Sequence, residues 1–383
     1  MTSRTDDRSW ITLHRLALVL AVMTFGLIVW GGHVNSTRSG MAFPDWPTSN
    51  AAPMLTYHPS EWLWQSDRFW EHGHRLYASV VGLVTVVLMA FTLRATPSER
   101  RGGWTILAID TAVFLTVATA IVGINSMPSV FTELVMAGLA VLMAIFFTKA
   151  VRSQDIVRIH WLSQAAFAGV CLQACFGGYT VRNNLPDWTS TTHGMLAEVF
   201  LITILGIVYL TSASYRAGTV RNTLSAGTRK LVMATWLVTV VQFFLGALTR
   251  HTDAWGVSMV WPAWSETEFF PTADLWAYSQ VVIHFVHRTM AYVVAAMIIL
   301  QVVRYRRGTT IMAALLVGVQ IFLGAAILWT YRGELVTTLH VMTGVILVVL
   351  NTFTMFSASS AAAPQRRTVA TSPDLGVGRA VQS

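Results

Sequence analysis

Long apolar runs separated by shorter polar segments dominate this sequence. Each run has about 20 residues, the length that a helix needs to cross the hydrocarbon core of a bilayer. The apolar residues are continuous rather than alternating, which favours helices over the strands of a membrane barrel. We predict ten transmembrane helices, at residues 12–32, 72–93, 104–124, 132–150, 160–181, 192–212, 230–249, 279–302, 309–329 and 336–356.

Composition and charge agree with this pattern. Hydrophobic residues make up 54% of the chain and charged residues 11%, whereas soluble domains carry about 25% charged residues. The net charge of +8 does not indicate nucleic-acid binding, because 19 of the 26 basic residues fall in segments that the ten helices place on one side. Basic segments remain on the cytoplasmic side of a membrane, so we predict that both termini are cytoplasmic.

The start of the chain shows no secretory or organellar targeting signal. The first apolar run is longer than the apolar part of a cleavable signal peptide, and no Arg/Ser-rich transit segment precedes it. We therefore predict a multi-pass protein of the bacterial plasma membrane.

Glycine and histidine recur in a fixed order, which indicates an internal duplication. A glycine stands near the end of one helix and a histidine near the beginning of a later one. The separation is 43 residues in Gly31–His74 and 41 residues in Gly246–His287. It is 16 residues in both Gly177–His193 and Gly324–His340.

These separations match helices one, two, five and six with helices seven to ten. The third and fourth helices break the repeat, because Gly123 and Glu133 are only 10 residues apart. We predict an all-α polytopic fold of two pseudo-symmetric four-helix bundles with an inserted two-helix hairpin. The predicted units are an N-terminal bundle at 1–212 with the hairpin at 104–150, a C-terminal bundle at 213–356, and a disordered cytoplasmic tail at 357–383.

The four repeated histidines are candidate metal ligands at one depth of the membrane, toward the outer side. Two imidazoles that face each other inside a bundle suit the two axial positions of a haem iron. A lone membrane histidine more often packs and forms hydrogen bonds, but the repeated arrangement favours ligation. Zinc or copper is less favoured, since no Cys/His cluster has ligand spacing. Cys171 and Cys175 are predicted to be packing residues.

The residues around the histidines suggest further roles. Glycine pairs near the helix ends would make room for a flat macrocycle, and Arg75 and Arg288 could bind haem propionates. Glu71 precedes His74 by one helical turn, whereas His284 holds that place in the second half. A buried carboxylate can accept a proton, although an ion pair with Arg75 is the alternative. This asymmetry indicates that one half reacts and the other carries electrons.

Longer motifs resemble those of the haem A synthase family, from about Leu18 to Thr354 apart from the third and fourth helices. The first half carries the motifs Gly31-Gly32-x-Val34-x-x-Thr37-x-Ser39-Gly40-x-x-x-Pro44-Asp45-Trp46-Pro47 and Glu71-x-x-His74-Arg75. The second half carries Gly246-Ala247-x-x-Arg250-His251-Thr252 and His287-Arg288.

The resemblance implies an oxidoreductase that converts a ring methyl of haem O to the formyl group of haem A through hydroxylated intermediates. It implies that His74 and His193 flank the substrate haem, with Glu71 as the catalytic acid. It also implies that His287 and His340 ligate a haem b cofactor. Candidate partners are an electron donor that the sequence does not identify, haem O synthase and a second copy of the chain.

Two residues depart from the family pattern. Asn35 stands where the family usually has Arg, and Phe43 stands where many bacterial members have a loop cysteine. Neither outer loop has a cysteine, so a thiol pair cannot deliver electrons here.

Two other functions compete with the synthase. A di-haem b electron-transfer protein needs the same four histidines but no acid beside one haem. A transporter built from inverted repeats is less favoured, because both halves begin on the same side of the membrane.

Overall fold

The computed structural model describes residues 7–95, 129–218 and 224–359. Within these residues nine helices are long and apolar enough to cross a membrane, and the prediction of an all-α polytopic membrane protein is confirmed. The helices are α1 Asp7–Ser36, α2 Ser66–Ala95, α3 Ser129–Arg152, α4 Asp155–Arg182, α5 Asp187–Thr211, α6 Ala226–His251, α7 Ser279–Arg304, α8 Gly308–Trp329 and α9 Glu334–Ser359. The predicted third helix and nearly all of the predicted tail lie outside the described residues.

The helices extend beyond the predicted apolar runs. Helix α2 begins at Ser66, six residues before its predicted start at residue 72. Hydropathy locates the apolar part of a helix, whereas the backbone hydrogen bonds continue into its polar first turns. Glu71 and His74 therefore lie well inside α2, where they are held more rigidly than in a loop.

The packing forms two closed rings of four helices. Helices α1, α2, α4 and α5 each pack against the next, and α5 returns to α1. Helices α6, α7, α8 and α9 form a second ring in the same manner. We call the end at which α2, α5, α7 and α9 begin the histidine end. A single helical turn, Ala213–Arg216, and the segment after it connect the rings.

Helix α3 packs on the outside of the first ring, mainly against α4. Cys171 and Cys175 are buried in this contact beside Met136 of α3, which is the packing role expected of them. Glu133 is exposed, and its carboxylate accepts a hydrogen bond of 3.2 Å from the Tyr179 hydroxyl of α4. The first ring therefore closes without α3.

A polar cluster joins the two rings at the histidine end. Arg250 of α6 donates to the side-chain oxygen of Asn35 and to the carbonyl of Gly32. Arg332, between α8 and α9, donates to the same oxygen of Asn35 at 3.0 Å. Asn35 and Arg250 each stand four residues after the glycine of their half, so they are equivalent positions of the repeat. Asparagine fits here because an arginine would be a third cation beside two others.

A short ribbon is the sole sheet among the described residues. Strands β1 Thr48–Ser49 and β2 Ala52–Pro53 pair antiparallel in the long loop between α1 and α2. The ribbon gives a fixed shape to a segment that the sequence predicted only as a polar loop.

The cluster predicts that Asn35 stabilises the joined rings. We expect Asn35→Leu to lower the free energy of unfolding by about 1–3 kcal/mol, because two guanidinium groups lose a shared acceptor. Asn35→Asp is the matched control, since it retains an acceptor. Thermal unfolding in detergent measures both variants. Equal melting temperatures for Asn35→Leu and the wild type would contradict the role of the cluster.

Candidate haem-binding sites

Each of the four repeated histidines faces the glycine that the repeat pairs with it, on the preceding helix of its ring. A Cβ atom built on each glycine would lie close to the Cε1 atom of the facing imidazole. The distance between these two atoms is 2.9 Å in Gly31–His74, 3.0 Å in Gly177–His193, 3.1 Å in Gly246–His287 and 3.3 Å in Gly324–His340. A larger residue would displace each ring, so these glycines admit the imidazoles.

In the sequence pairs Gly31-Gly32 and Gly177-Gly178, the second glycine contacts residues other than the histidine. A Cβ atom on Gly32 would lie 3.0 Å from Val341 of α9, and one on Gly178 would lie 2.1 Å from the Trp46 ring. That the glycine pairs make room for a macrocycle remains a prediction. The glycines admit an imidazole, a neighbouring helix and a loop tryptophan.

The structure brings the four histidines together in two pairs. His74 and His193 of the first ring are close enough for their charges to interact, and so are His287 and His340 of the second ring. All four side chains are half-buried. A ring nitrogen of His74, His193 and His340 is buried without a hydrogen-bond partner.

This donor set fits a haem. Each ring offers two imidazoles, and in the part of the chain that the structure describes no group of three His, Cys, Asp or Glu residues could hold a metal ion. A metal held by two imidazoles needs its remaining ligands from another molecule, and a porphyrin supplies four. A buried ring nitrogen without a hydrogen-bond partner also has a lone pair free to bind such a metal.

Three glutamines contact these histidines. The amide nitrogen of Gln173 donates to the backbone carbonyl of His193 at 2.8 Å, and that of Gln242 donates to the carbonyl of His287 at 3.0 Å. The amide nitrogen of Gln320 is 3.3 Å from a ring nitrogen of His340. No role was predicted for these glutamines from the sequence. Their positions do repeat, because each precedes the glycine of its helix by four residues.

Glu71 is buried at the histidine end of the first ring. Its exposed fraction is 4%. One carboxylate oxygen accepts the Phe43 amide at 2.9 Å, and the other is paired with the Arg75 guanidinium. The ion pair that we considered as the alternative role of Glu71 is thus formed, and it holds the carboxylate one turn from His74.

The arginines after the histidines hold the long loops. Arg75 donates to the carbonyls of Phe43 at 2.8 Å, Asp45 at 2.8 Å and Thr48 at 2.9 Å. Arg288 donates to the carbonyl of Val260 and to the Ser258 hydroxyl in the loop of the other half. Propionate binding by Arg75 and Arg288 remains a prediction, and loop anchoring is what their contacts show.

The first loop covers the histidine end of its ring. Phe43 is fully buried and packs its ring against Tyr57 and His72. The hydrogen bonds of Phe43 to Glu71 and Arg75 come from its backbone. They therefore do not depend on whether phenylalanine or cysteine stands at this position. His72 is also buried, and a ring nitrogen lies 3.1 Å from the Ser49 hydroxyl.

An aspartate turn gives this loop its shape. The Asp45 carboxylate accepts the amides of Asn50 at 3.0 Å and Ala51 at 2.8 Å. Partial burial acts in the opposite direction, but hydrogen bonds from the Thr48 side chain and these amides hold the pKa of Asp45 below its ordinary value. Asp45 is therefore ionised at neutral pH, and the turn places the following residue, Trp46, on Gly178 of α4.

The two candidate sites meet at the end of α6. His251 lies close enough to His193 for charge interaction, and so does Arg250 to His340. His33 of α1 reaches the second ring, where a ring nitrogen lies 3.1 Å from the Thr338 hydroxyl. His284 is buried beside Trp264 in the place that Glu71 holds in the first ring.

Comparisons with known proteins agree with this architecture. The family model COX15-CtaA, described as a cytochrome oxidase assembly protein, matches residues 14–135 and 130–352. A heme A synthase of Rhizorhabdus wittichii is 24% identical over 373 residues, covering 86% of this chain and 89% of that protein. A heme A synthase of Novosphingobium aromaticivorans is 23% identical over 392 residues, covering 90% of this chain and 94% of that protein.

The contact between Trp46 and Gly178 predicts a specific sensitivity of the first loop. We expect Gly178→Ala to displace Trp46, because the added methyl group would overlap its ring. Limited proteolysis of the protein in detergent should then cleave residues 37–53 several times faster. Gly82→Ala is the control, since its added methyl group meets no atom within 4 Å. Equal cleavage rates in the two variants would show that Trp46 does not anchor the loop.

Proposed function

The chain belongs to the COX15-CtaA family of cytochrome oxidase assembly proteins, and we propose that it is a membrane oxidoreductase that converts haem O to haem A. The observation that carries this proposal is a buried carboxylate beside one histidine pair and not beside the other. Glu71 stands one turn before His74 in the first ring, and His284 takes that position in the second ring. The two related proteins named as heme A synthases support the same reaction.

The first ring is the proposed reaction site. His74 and His193 would hold haem O from opposite faces and fix the ring methyl that is oxidised. Oxidation of the methyl group to a formyl group, through hydroxylated intermediates, inserts one oxygen atom and removes hydrogen. With water as the proposed oxygen source the balance is R–CH3 + H2O → R–CHO + 4 H+ + 4 e−, and the electrons pass through the second ring to an electron-accepting redox partner. Glu71 is the proposed proton acceptor. Arg75 and the Phe43 amide fix the position of its carboxylate, which is the proposed group that stabilises positive charge developing on the substrate.

The loop anchored by Arg75 supports this role by limiting access of water. It buries Glu71 to 4% exposure, and a carboxylate in such a site acts more strongly on a nearby charge than one in water. The loop also fixes the position of the carboxylate before the substrate binds, so the reaction requires little reorganisation.

The second ring is the proposed electron-carrying site. His287 and His340 would ligate a haem b, which supplies one-electron redox chemistry when bound. His251 and Arg250, adjacent on α6, interact electrostatically with His193 and His340 respectively, and we propose that electrons pass between the two sites beside them. Arg75 and Arg288 are retained as proposed propionate partners in addition to anchoring the loops.

Orientation and partners belong to the same proposal. Nine described helices are long and apolar enough to cross a membrane, and the distribution of basic residues supports cytoplasmic termini with the histidine end outward. Haem O synthase as the source of substrate, a redox partner, and a second copy of the chain are the proposed contacts.

A di-haem b electron carrier is the alternative function. It would need both histidine pairs, but a buried carboxylate tied to a fixed loop in only one ring has no role in it. The asymmetry at Glu71 and His284 therefore favours the synthase.

Glu71 provides the direct test of the reaction site. We expect Glu71→Gln to retain both haems but to lower haem A formation by about 10²–10⁴-fold, because the proton acceptor is lost while the shape remains. The measurement is chromatography of haems extracted after co-expression with haem O synthase. Glu133→Gln, which changes an exposed carboxylate, is the control. Normal haem A formation by Glu71→Gln would exclude the acid–base role.

His287 provides the test of the second site. We expect His287→Ala to lose the spectrum of the b-type haem, since one of its two axial ligands is removed. The optical spectrum of the purified protein measures this loss. His58→Ala, at an exposed loop position, controls for the removal of a histidine. An unchanged b-type spectrum in His287→Ala would contradict the assignment of the second ring.

A further inference from the structure

Three of the four repeated histidines share a contact that the fourth lacks. Gln173, Gln242 and Gln320 hold equivalent positions, four residues before the glycine that faces the histidine. At the same position of α1 stands Leu27, which packs against the hydrophobic core. His74 is therefore the one repeated histidine with no glutamine across from it.

The amides of Gln173 and Gln242 contact both the backbone and the ring of their histidines, at Nε2 of His193 and at Nδ1 of His287. The amide nitrogen of Gln242 is 3.0 Å from the carbonyl of His287 and 3.1 Å from a ring nitrogen. That of Gln173 is 2.8 Å from the carbonyl of His193 and 3.4 Å from a ring nitrogen. Each contact occupies one ring nitrogen and leaves the other for a ligand.

Gln320 is fixed from a second side. Its amide oxygen accepts a hydrogen bond from the Thr343 hydroxyl, while its nitrogen faces the ring of His340. Thr343 lies one turn after His340 on α9. The glutamine that contacts His340 is thus itself held by a second side chain.

The α1–α2 pair is joined at another point. The indole nitrogen of Trp30 donates to the carbonyl of Trp70 at 2.9 Å, one turn before His74. A Cβ atom on Gly73 would lie 2.6 Å from the Trp30 ring, so the two helices are closely packed there. A ring nitrogen of His74 is buried without a partner. These contacts join the two helices without a hydrogen bond to the imidazole.

We infer that the three glutamines are positioning residues for axial histidines, and that Leu27 leaves His74 without this hydrogen bond so that the substrate haem can exchange. This inference rests on the proposed function. A resident haem benefits from two fixed ligands, whereas a substrate must enter and its product must leave. Partners that orient a metal-ligating histidine typically change metal affinity about 10–100-fold.

The first experiment adds the missing contact. Wild-type protein, Leu27→Gln and the volume-matched control Leu27→Met are loaded with haem O, and transfer of each haem to excess apomyoglobin is followed. We expect Leu27→Gln to slow transfer of the haem O fraction about 10-fold, with transfer of the b-type haem unchanged. Leu27→Met should behave as the wild type. An unchanged rate for Leu27→Gln would overturn the inference for His74.

The second experiment removes a contact. We expect Gln242→Leu to release the b-type haem to apomyoglobin about 10-fold faster and to shift the electron paramagnetic resonance g values of that haem. Gln242→Asn, which retains an amide donor on a shorter side chain, should restore part of both properties. Gln301→Leu is the control, because Gln301 is buried on α7 and its amide has no hydrogen-bond partner.

Unchanged haem retention and g values in Gln242→Leu would overturn the positioning role. A shift of equal size in Gln301→Leu would overturn it as well, since the effect would then come from packing. The proposed function fails in a different manner: wild-type protein would bind haem O and the b-type haem and yet form no haem A. The transfer rates and g values do not depend on that outcome.

Discussion

The close approach of a glycine to a histidine on the next helix is the contact on which the rest of the structure depends. It recurs four times, with the glycine backbone a few ångströms from the imidazole. Each contact sets the distance between two helices and the depth of one ring nitrogen in the membrane. Each ring contains two such contacts, and its two histidines lie close enough for charge interaction.

Membrane helices gain little from apolar contacts with one another, because lipid is equally apolar. Small residues and hydrogen bonds therefore have to select the packing. Gly31 and Gly177 select it within the first ring, Gly32 selects it between the rings, and the hydrogen bonds of Arg250 to Asn35 fix it at the histidine end. The same features that hold the helices together thus place the candidate ligands.

Much of this fold was predictable from the sequence because membrane helices require long apolar runs, and because the Gly-to-His separations preserve the duplication. The contacts of the loops were not predictable. Nothing in the pattern indicates that Arg75 donates to three loop carbonyls or that Trp46 rests on Gly178, since these contacts depend on a ribbon and turns formed by polar residues. The glutamines were visible as a repeat, but their role required the distances to His193 and His287.

The departures from symmetry fall in the same ring. The first ring has Glu71 with its loop contacts, and Leu27 in place of a glutamine. The second ring has His284 at the position of Glu71, and a glutamine contacts each of its two histidines. A site that binds a substrate, removes protons and releases a product needs a base and an exchangeable ligand. A site that holds a resident electron carrier needs neither.

The most direct measurement of the central claim is the haem content of the wild-type protein purified from cells that also express haem O synthase. The account predicts two haems per chain, one b-type and one of the O or A type, both low-spin with two histidine ligands by electron paramagnetic resonance. A single haem per chain, or two b-type haems, would contradict the assignment of one resident and one reacting site.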